Sequence, residues 1–332
     1  MPDARPDSWR PWISRVIAVM IVAMLLYLAL VIWSGLGRLE AALSRFPISS
    51  LPTLLGLVIL GWALRALRWH FYIRYLRWPV PFHASLLAFL ASFALTATPG
   101  KAGEVVKAGL LRSHYGVAMA DTAGVLLVER LGDLLAVLIL AAGGLTIVAD
   151  ARLYFLICLI LVGGITLFVT SESLYRPLFS RLARFPYLER ATDKILRMLD
   201  TGHNLLRLMP FIVGVSIAIV AWACEAFAFH LILGGFGLNL PLLTSFSVYG
   251  VSTVIGALSL LPGGVGGVEA AMLLLLSALG VGPAATVAPI VLTRFSTLWL
   301  ISLLGFAFLG VWWLVIERGQ PAPFVKKEGL PR

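Results

Sequence analysis

The sequence predicts an all-α, polytopic membrane protein with about six full spans and two oppositely oriented broken helical hairpins that form an inverted repeat. Three observations predict this. Of 332 residues, 60% are hydrophobic and only 13% charged, with mean hydropathy +0.96, whereas soluble domains carry roughly 25% charged residues. Six windows supply the about 20 apolar residues that a bilayer core about 30 Å thick requires. Two further apolar stretches are long but interrupted by a Pro/Gly motif that occurs twice.

The six windows are Ser14–Ser34, Leu51–Trp69, Thr122–Val148, Leu153–Thr170, Phe211–Leu233 and Val287–Val315, and the interrupted stretches are Phe82–Arg112 and Leu242–Leu279. The first window follows Arg5, Arg10 and Arg15. Its length exceeds a signal peptide's apolar core, so it reads as a retained helix. Residues 1–332 therefore form a single transmembrane domain.

The interruptions are Pro99-Gly100-Lys101-Ala102-Gly103-Glu104 and Pro262-Gly263-Gly264-Val265-Gly266-Gly267-Val268-Glu269. They belong to stretches that stay in register at an offset of 164 residues: Gly103 with Gly267, Gly116 with Gly280, and Arg130 with Arg294. Residues 62–148 make the first repeat and 211–316 the second. Proline and glycine permit a turn and close backbone approach, so Pro99, Gly100, Gly103, Pro262, Gly263, Gly264, Gly266 and Gly267 are the hinge candidates. Following the chain, the first hairpin opens inward and the second outward, an arrangement that underlies alternating access. Broken backbone at membrane depth needs protein or a watery cavity around it, which predicts a central polar cavity.

The net charge is +10. In a membrane protein the positive-inside rule accounts for it without nucleic acid. With both termini cytoplasmic, most basic residues fall in inner segments, including Arg65, Arg68, Arg74 and Arg77, and Lys101, Lys107 and Arg112. Between the repeats, residues 171–210 form a cytoplasmic segment. Leu174, Leu178, Leu182 and Phe185, then Leu188, Ile195, Leu199 and Leu206, recur at helical spacing opposite Arg190, Lys194 and Arg197. This pattern predicts amphipathic helices on the inner leaflet. Trp69, Trp78 and Trp312 suit interfacial anchoring, while Trp62, Trp222 and Trp299 lie deeper and suit packing. Cys158 and Cys224 both lie in apolar spans and indicate no disulfide framework.

An ionised residue at the bilayer centre costs roughly 2.5–3.5 kcal/mol on insertion scales, so Arg130 and Arg294 should not face lipid. Asp133 follows Arg130 by three and can share its helical face, with Glu129 to one side. Arg294 has no local acid; its partner is Glu269, Glu225 or a substrate phosphate. Lys101, Glu104 and Lys107 step along one face after the first break, two cations flanking a carboxylate, and suit a zwitterionic or anionic headgroup. The substrate-binding candidates are thus Lys101, Glu104, Lys107, Glu129, Arg130, Asp133, Glu269 and Arg294. Glu225 and His230 share a span on different faces; either suits a proton relay, and packed, hydrogen-bonded side chains are the simpler reading. No pair of histidines has metal-ligand spacing, and no nucleotide-binding or nucleophile motif occurs, so no metal, cofactor or catalytic residue is expected.

At Pro99-x-x-x-Gly103-Glu104, Glu129-Arg130-x-x-Asp133 and Pro262-Gly263-Gly264-x-Gly266-x-x-Glu269 the chain resembles the lysylphosphatidylglycerol synthase transmembrane family, the flippase-like membrane proteins. The resemblance implies a lipid flippase of the bacterial inner membrane rather than an enzyme. Its cargo would be a polar-headgroup lipid: an aminoacyl-phospholipid, a glycolipid, or a polyprenyl-linked or hopanoid-related lipid. With only a short basic tail after the last span, the aminoacyl transferase of some members is expected to be absent. The implied partners are membrane lipids with phosphate-bearing headgroups, together with a lipid-biosynthetic enzyme. Two alternatives stand beside this: a non-transporting scaffold for such an enzyme, and an intramembrane lipid transferase.

Overall fold

The computed structural model describes residues 43–44, 46–96, 103–142, 151–185, 187–259 and 261–317. The expected first span, the hinge residues Pro99 and Gly100, and Lys101 lie outside the described residues. Among the described residues there are helices and no strand. In chain order the α-helices are α1 (Leu51–Tyr75), α2 (Phe82–Ser92), α3 (Gly103–Tyr115), α4 (Met119–Ala141), α5 (Ala151–Thr170) and α6 (Glu172–Leu182). Then come α7 (Glu189–Leu205), α8 (Leu208–Gly235), α9 (Leu242–Leu258), α10 (Gly267–Ala278), α11 (Pro283–Arg294) and α12 (Leu300–Trp312).

Three helical stretches are long and apolar enough to cross a membrane: Ile48–Tyr75, Leu208–Gly235 and Pro283–Val315. A fourth arises if Phe155–Thr170 and α6, bent by 74° from it, count as one span. The chain is therefore a multi-pass helical membrane protein. Helix α4, at the expected span Thr122–Val148, is long but carries Glu129, Arg130 and Asp133 in its middle. Helices α9 and α10 and the stretch Phe82–Leu95 are apolar but shorter. At 1.5 Å per residue, the 12 residues of α10 reach only about 18 Å.

The match between the halves extends further than the sequence motifs. Helices α3 and α10 begin at Gly103 and Gly267, and α4 and α11 at Met119 and Pro283, all at the same offset. The turns between them pass through left-handed Gly116 (φ 69°) and Gly280 (φ 83°). Upstream of the breaks the correspondence continues at an offset of 160. Arg77 (φ 57°) and Gly237 (φ 78°) end α1 and α8 in the left-handed region. There Trp78 N–H donates to the Ile73 carbonyl (3.1 Å), and Leu238 N–H to that of Leu233 (2.9 Å). These are the bonds of a Schellman helix end. Pro81 and Pro241 then precede α2 and α9 in extended conformation. The second half is thus four residues longer between Pro241 and Gly267 than the first is between Pro81 and Gly103.

Helices α1 and α8 pack antiparallel: Gly61 lies against Ala221 and Glu225, and Tyr72, further along α1, against Gly214, earlier on α8. A Cβ on Gly61 would sit 3.1 Å from the Ala221 carbonyl oxygen. Two more crossings join the halves. Gly250 of α9 lies on α4, where a Cβ would come 2.9 Å from the Ala141 nitrogen. Gly305 of α12 lies as closely on Ala94, at the end of the α2 stretch. Small residues at such points let backbones approach where no hydrophobic drive exists between helices.

Residues 171–210 depart from expectation in part. The apolar face of α7 packs on α4, with Leu199 and Leu205 buried and Gly124 directly beneath Met198 and Thr201. That stripe covers protein rather than lipid. Leu174, Leu178, Phe185 and Leu188 do remain exposed. Trp69 and Trp312 are buried, not interfacial: Trp312 stacks edge-on with His114, whose ring centroid is 5.4 Å away.

Candidate functional site

Helix α1 runs to Tyr75, so Arg65 and Arg68 lie two to three turns inside it rather than at its end. Arg68 is 1% exposed. Lys107 is as deeply buried, at 2% exposed, so Arg68 and Lys107 meet protein rather than solvent. Each finds its counter-charge on another helix.

Arg65 forms an ion pair with Glu225 of α8. Glu225 also accepts the Tyr249 hydroxyl at 2.6 Å, and the Arg65 guanidinium lies 4.4 Å from the Trp222 ring centroid. Arg65 and Glu225 are themselves 160 residues apart, equivalent positions of the two halves with opposite charge. One turn on, Arg68 Nη1 meets Asp133 Oδ1 at 2.8 Å. Trp222 Nε1–H donates to that same oxygen at 3.2 Å. Asp133 Oδ2 takes Arg130 Nη2 at 3.4 Å, the local pair expected from their spacing, and Arg130 Nε also reaches Glu104 Oε1 at 3.2 Å. Glu129, on the other side of α4, accepts Lys107 Nζ at 3.0 Å and lies 4.0 Å from Arg68 Nε.

The Lys107 ammonium is further enclosed by Trp69, 3.7 Å to the centroid, and Phe89, 5.0 Å. Lys107 therefore does not share an open cationic face with Glu104: the two turn to different partners because α4 presents Glu129 and Arg130 on different sides. The assembly holds four cations (Arg65, Arg68, Lys107, Arg130) and four carboxylates (Glu104, Glu129, Asp133, Glu225), so it is neutral as a whole. Removing one member of such a buried pair typically costs 3–5 kcal/mol, because the other is left uncompensated.

The second break has its own strap. Arg294 Nε meets Glu269 Oε1 at 2.8 Å, and Arg294 Nη2 donates to the Gly263 carbonyl at 2.6 Å. Glu269 Oε2 accepts the Gly266 N–H at 2.8 Å. Of the partners foreseen for Arg294, Glu269 is the one it meets. The turn requires glycine: Gly263, Gly264 and Gly266 have φ of 59°, 65° and 88°. Pro262 and Gly264 bound a short 3₁₀ turn, and Gly267 begins α10 with Ser259 close against it. In the first half Gly103 lies against the Ser92 carbonyl with no room for a Cβ. Arg130 and Glu104 there repeat the pairing of Arg294 with Glu269. Directly after Arg294 the helix widens to a π-turn, Phe295–Trp299, a form common at functional sites.

The structure thus gathers Glu104, Lys107, Glu129, Arg130 and Asp133 in one cluster and Glu269, Arg294 and the glycines in another. It adds Arg65, Arg68, Trp69, Trp222 and Tyr249, which sequence reasoning did not select, and brings in Glu225. His230 instead meets the Ser245 hydroxyl at 3.0 Å, as a packed residue. Among the described residues no group of His, Cys, Asp and Glu could hold a metal.

Comparison with known proteins places this geometry in a lineage. The chain is 26% identical over 319 residues to a "UPF0104 membrane protein" of Methanothermobacter thermautotrophicus, covering 87% of this chain and 93% of the relative. A second protein of that name from the same archaeon is 25% identical over 307 residues, covering 86% and 90%. The model of the lysylphosphatidylglycerol synthase TM region matches residues 16–305, and the chain belongs to that family.

Proposed function

We propose that the protein is a flippase, moving a polar-headgroup lipid between leaflets of the cytoplasmic membrane, with both termini inside. The observation that carries this is the neutral network of ionised side chains joining α1, α3 and α4 to α8 of the other half, beside the helix breaks. Ionisable residues at membrane depth are costly and mark substrate or ion paths. A phosphate can replace a carboxylate at Arg65 or Arg68, and a headgroup amine can take up the carboxylate so released. Exchange of partners avoids leaving any charge bare. Arg65 Nη2, buried and without a hydrogen-bond partner in the structure, is a donor in reserve for such an exchange.

The two halves are read as an inverted repeat. Support comes from the antiparallel packing of α1 on α8 through positions 160 residues apart. A two-fold axis in the membrane plane reverses equivalent helices, whereas an axis along the normal would keep them parallel. The short α2, α9 and α10 fit discontinuous helices of a transporter. Transport without catalysis is supported by the cation at each of Glu104, Glu129 and Asp133, which leaves none of these three unpaired.

The test is leaflet protection in proteoliposomes, using fluorescent phosphatidylglycerol and its lysyl ester. Wild-type protein should equilibrate at least one across the bilayer, and Arg65→Gln should slow it at least tenfold. Equal protection with and without protein for both lipids would overturn the reading.

A further inference from the structure

Where α1 ends and α8 begins, an open cavity of about 560 Å³ is lined by Tyr75, Leu76, Arg77, Asn204 and Arg207. It lies apart from the charge network, and nothing in the reading above uses it. Its chemistry is one-sided. No carboxylate lines it, and neither Arg77 nor Arg207 has an ion-pair partner among the described residues.

Arg77 stands in a conformation that does not suit it. It is the one non-glycine with positive φ among the described residues, at 57°. The equivalent turn of the second half has Gly237 there, at φ 78°. A side chain kept in the left-handed region at an energetic cost points to a use for that side chain. Arg207 holds the N-cap position of α8, so the positive end of that helix faces the same side. Directly after it, Leu208 and Met209 are 76% and 60% exposed. A phosphate at the arginines would therefore have apolar surface next to it. Basic pockets between helices at the membrane boundary take anionic headgroups in this way.

We infer that the cavity between Arg77 and Arg207 binds the phosphate of an anionic phospholipid, as a resident surface site separate from the central network. The proposal does not depend on lipid translocation. Two unpaired guanidinium groups grip the phosphate, Tyr75 and Asn204 offer further polar contacts, and the acyl chains lie along Leu208 and Met209.

The test uses the full chain in neutral detergent, with fluorescent phosphatidylglycerol as probe, phosphatidylcholine as the zwitterionic control and inorganic phosphate as competitor. Arg77→Gly and Arg207→Gln should each weaken phosphatidylglycerol binding about fivefold. Arg77→Gly should also keep or raise the unfolding midpoint, since glycine relieves the left-handed strain; lost binding is then not lost folding. Unchanged phosphatidylglycerol affinity in the double variant overturns the proposal. Displacement by inorganic phosphate, with no preference for phosphatidylglycerol over phosphatidylcholine, also overturns it, in favour of a soluble phosphate compound. Failure of the leaflet assay alongside these binding losses would sink only the transport reading.

Discussion

Helices α3 and α4 of the first half and α10 and α11 of the second begin 164 residues apart, yet they hold their polar groups differently. In the first half, ionised side chains bond from helix to helix: Lys107 to Glu129, Arg130 to Glu104, Arg68 to Asp133. In the second half, most hydroxyls bond to their own helix, while Tyr249 and Ser245 of α9 reach Glu225 and His230 of α8. Ser247, Thr253, Thr293, Ser296 and Ser302 each donate to the carbonyl four residues back. Among the described residues, Arg294 with Glu269 is the one ion pair between second-half helices. The turns of the two halves correspond, and their chemistry differs. A hydroxyl bonded to its own helix does not resist sliding of that helix on its neighbours, whereas an ion pair between helices does, and the first half holds more such pairs.

The contrast breaks most sharply at Asp133. Asp133→Ala leaves buried Arg68 with Glu129 alone, 4.0 Å away and shared with Lys107, and should destabilise by about 3 kcal/mol, read as a large drop in the unfolding midpoint in detergent. Thr293→Val, in the second half, should cost under about 1 kcal/mol, as typical membrane hydroxyl bonds do. Equal losses would remove the distinction between the halves. Next in size is the strap on the glycine turn. Arg294→Gln deletes a charged contact to Glu269 and one to Gly263, each of a kind worth about 1.5–3 kcal/mol. Hydrogen exchange across residues 261–267 should quicken while α1 keeps its protection.

The second break was legible in the sequence because proline and glycine act locally, and Gly263, Gly264 and Gly266 do hold the positive φ angles that only glycine takes easily. Arg130 with Asp133 was legible for the same reason, being three apart on one helix. Arg65 and Arg68 were not. Near the end of an apolar run, basic residues obey the positive-inside pattern whether they reach water or turn inward, and composition does not separate the two. The helix had to run on to Tyr75 before their depth was apparent. Lys107 misled similarly, since its aromatic enclosure comes from Trp69 and Phe89 on other helices. One signal was available. Arg65 and Glu225 are matched positions of opposite sign, hidden by the four-residue change in offset across the break.

That matched pair sharpens the comparison at the line where the halves meet. Arg65→Glu or Glu225→Arg alone places like charges together in a buried crossing, while the double exchange restores attraction. A coupling energy of about 0.5–3 kcal/mol is expected from the double-mutant cycle in unfolding. Tyr249 limits the rescue, because its hydroxyl donates to Glu225 and would have to accept from an arginine instead. Adding Tyr249→Phe to the exchanged pair should therefore cost less than adding it to the wild type.

The smallest effect belongs to Ser247, buried on α9 with its hydroxyl on the Leu243 carbonyl at 2.7 Å. That carbonyl already serves the helix, so Ser247→Ala removes donor and bond together and strands no partner. A change within about 0.5 kcal/mol is expected. A loss comparable to that at Asp133 would mean that Ser247, like Tyr249, holds α9 to another helix, and the second half would then be pinned as firmly as the first.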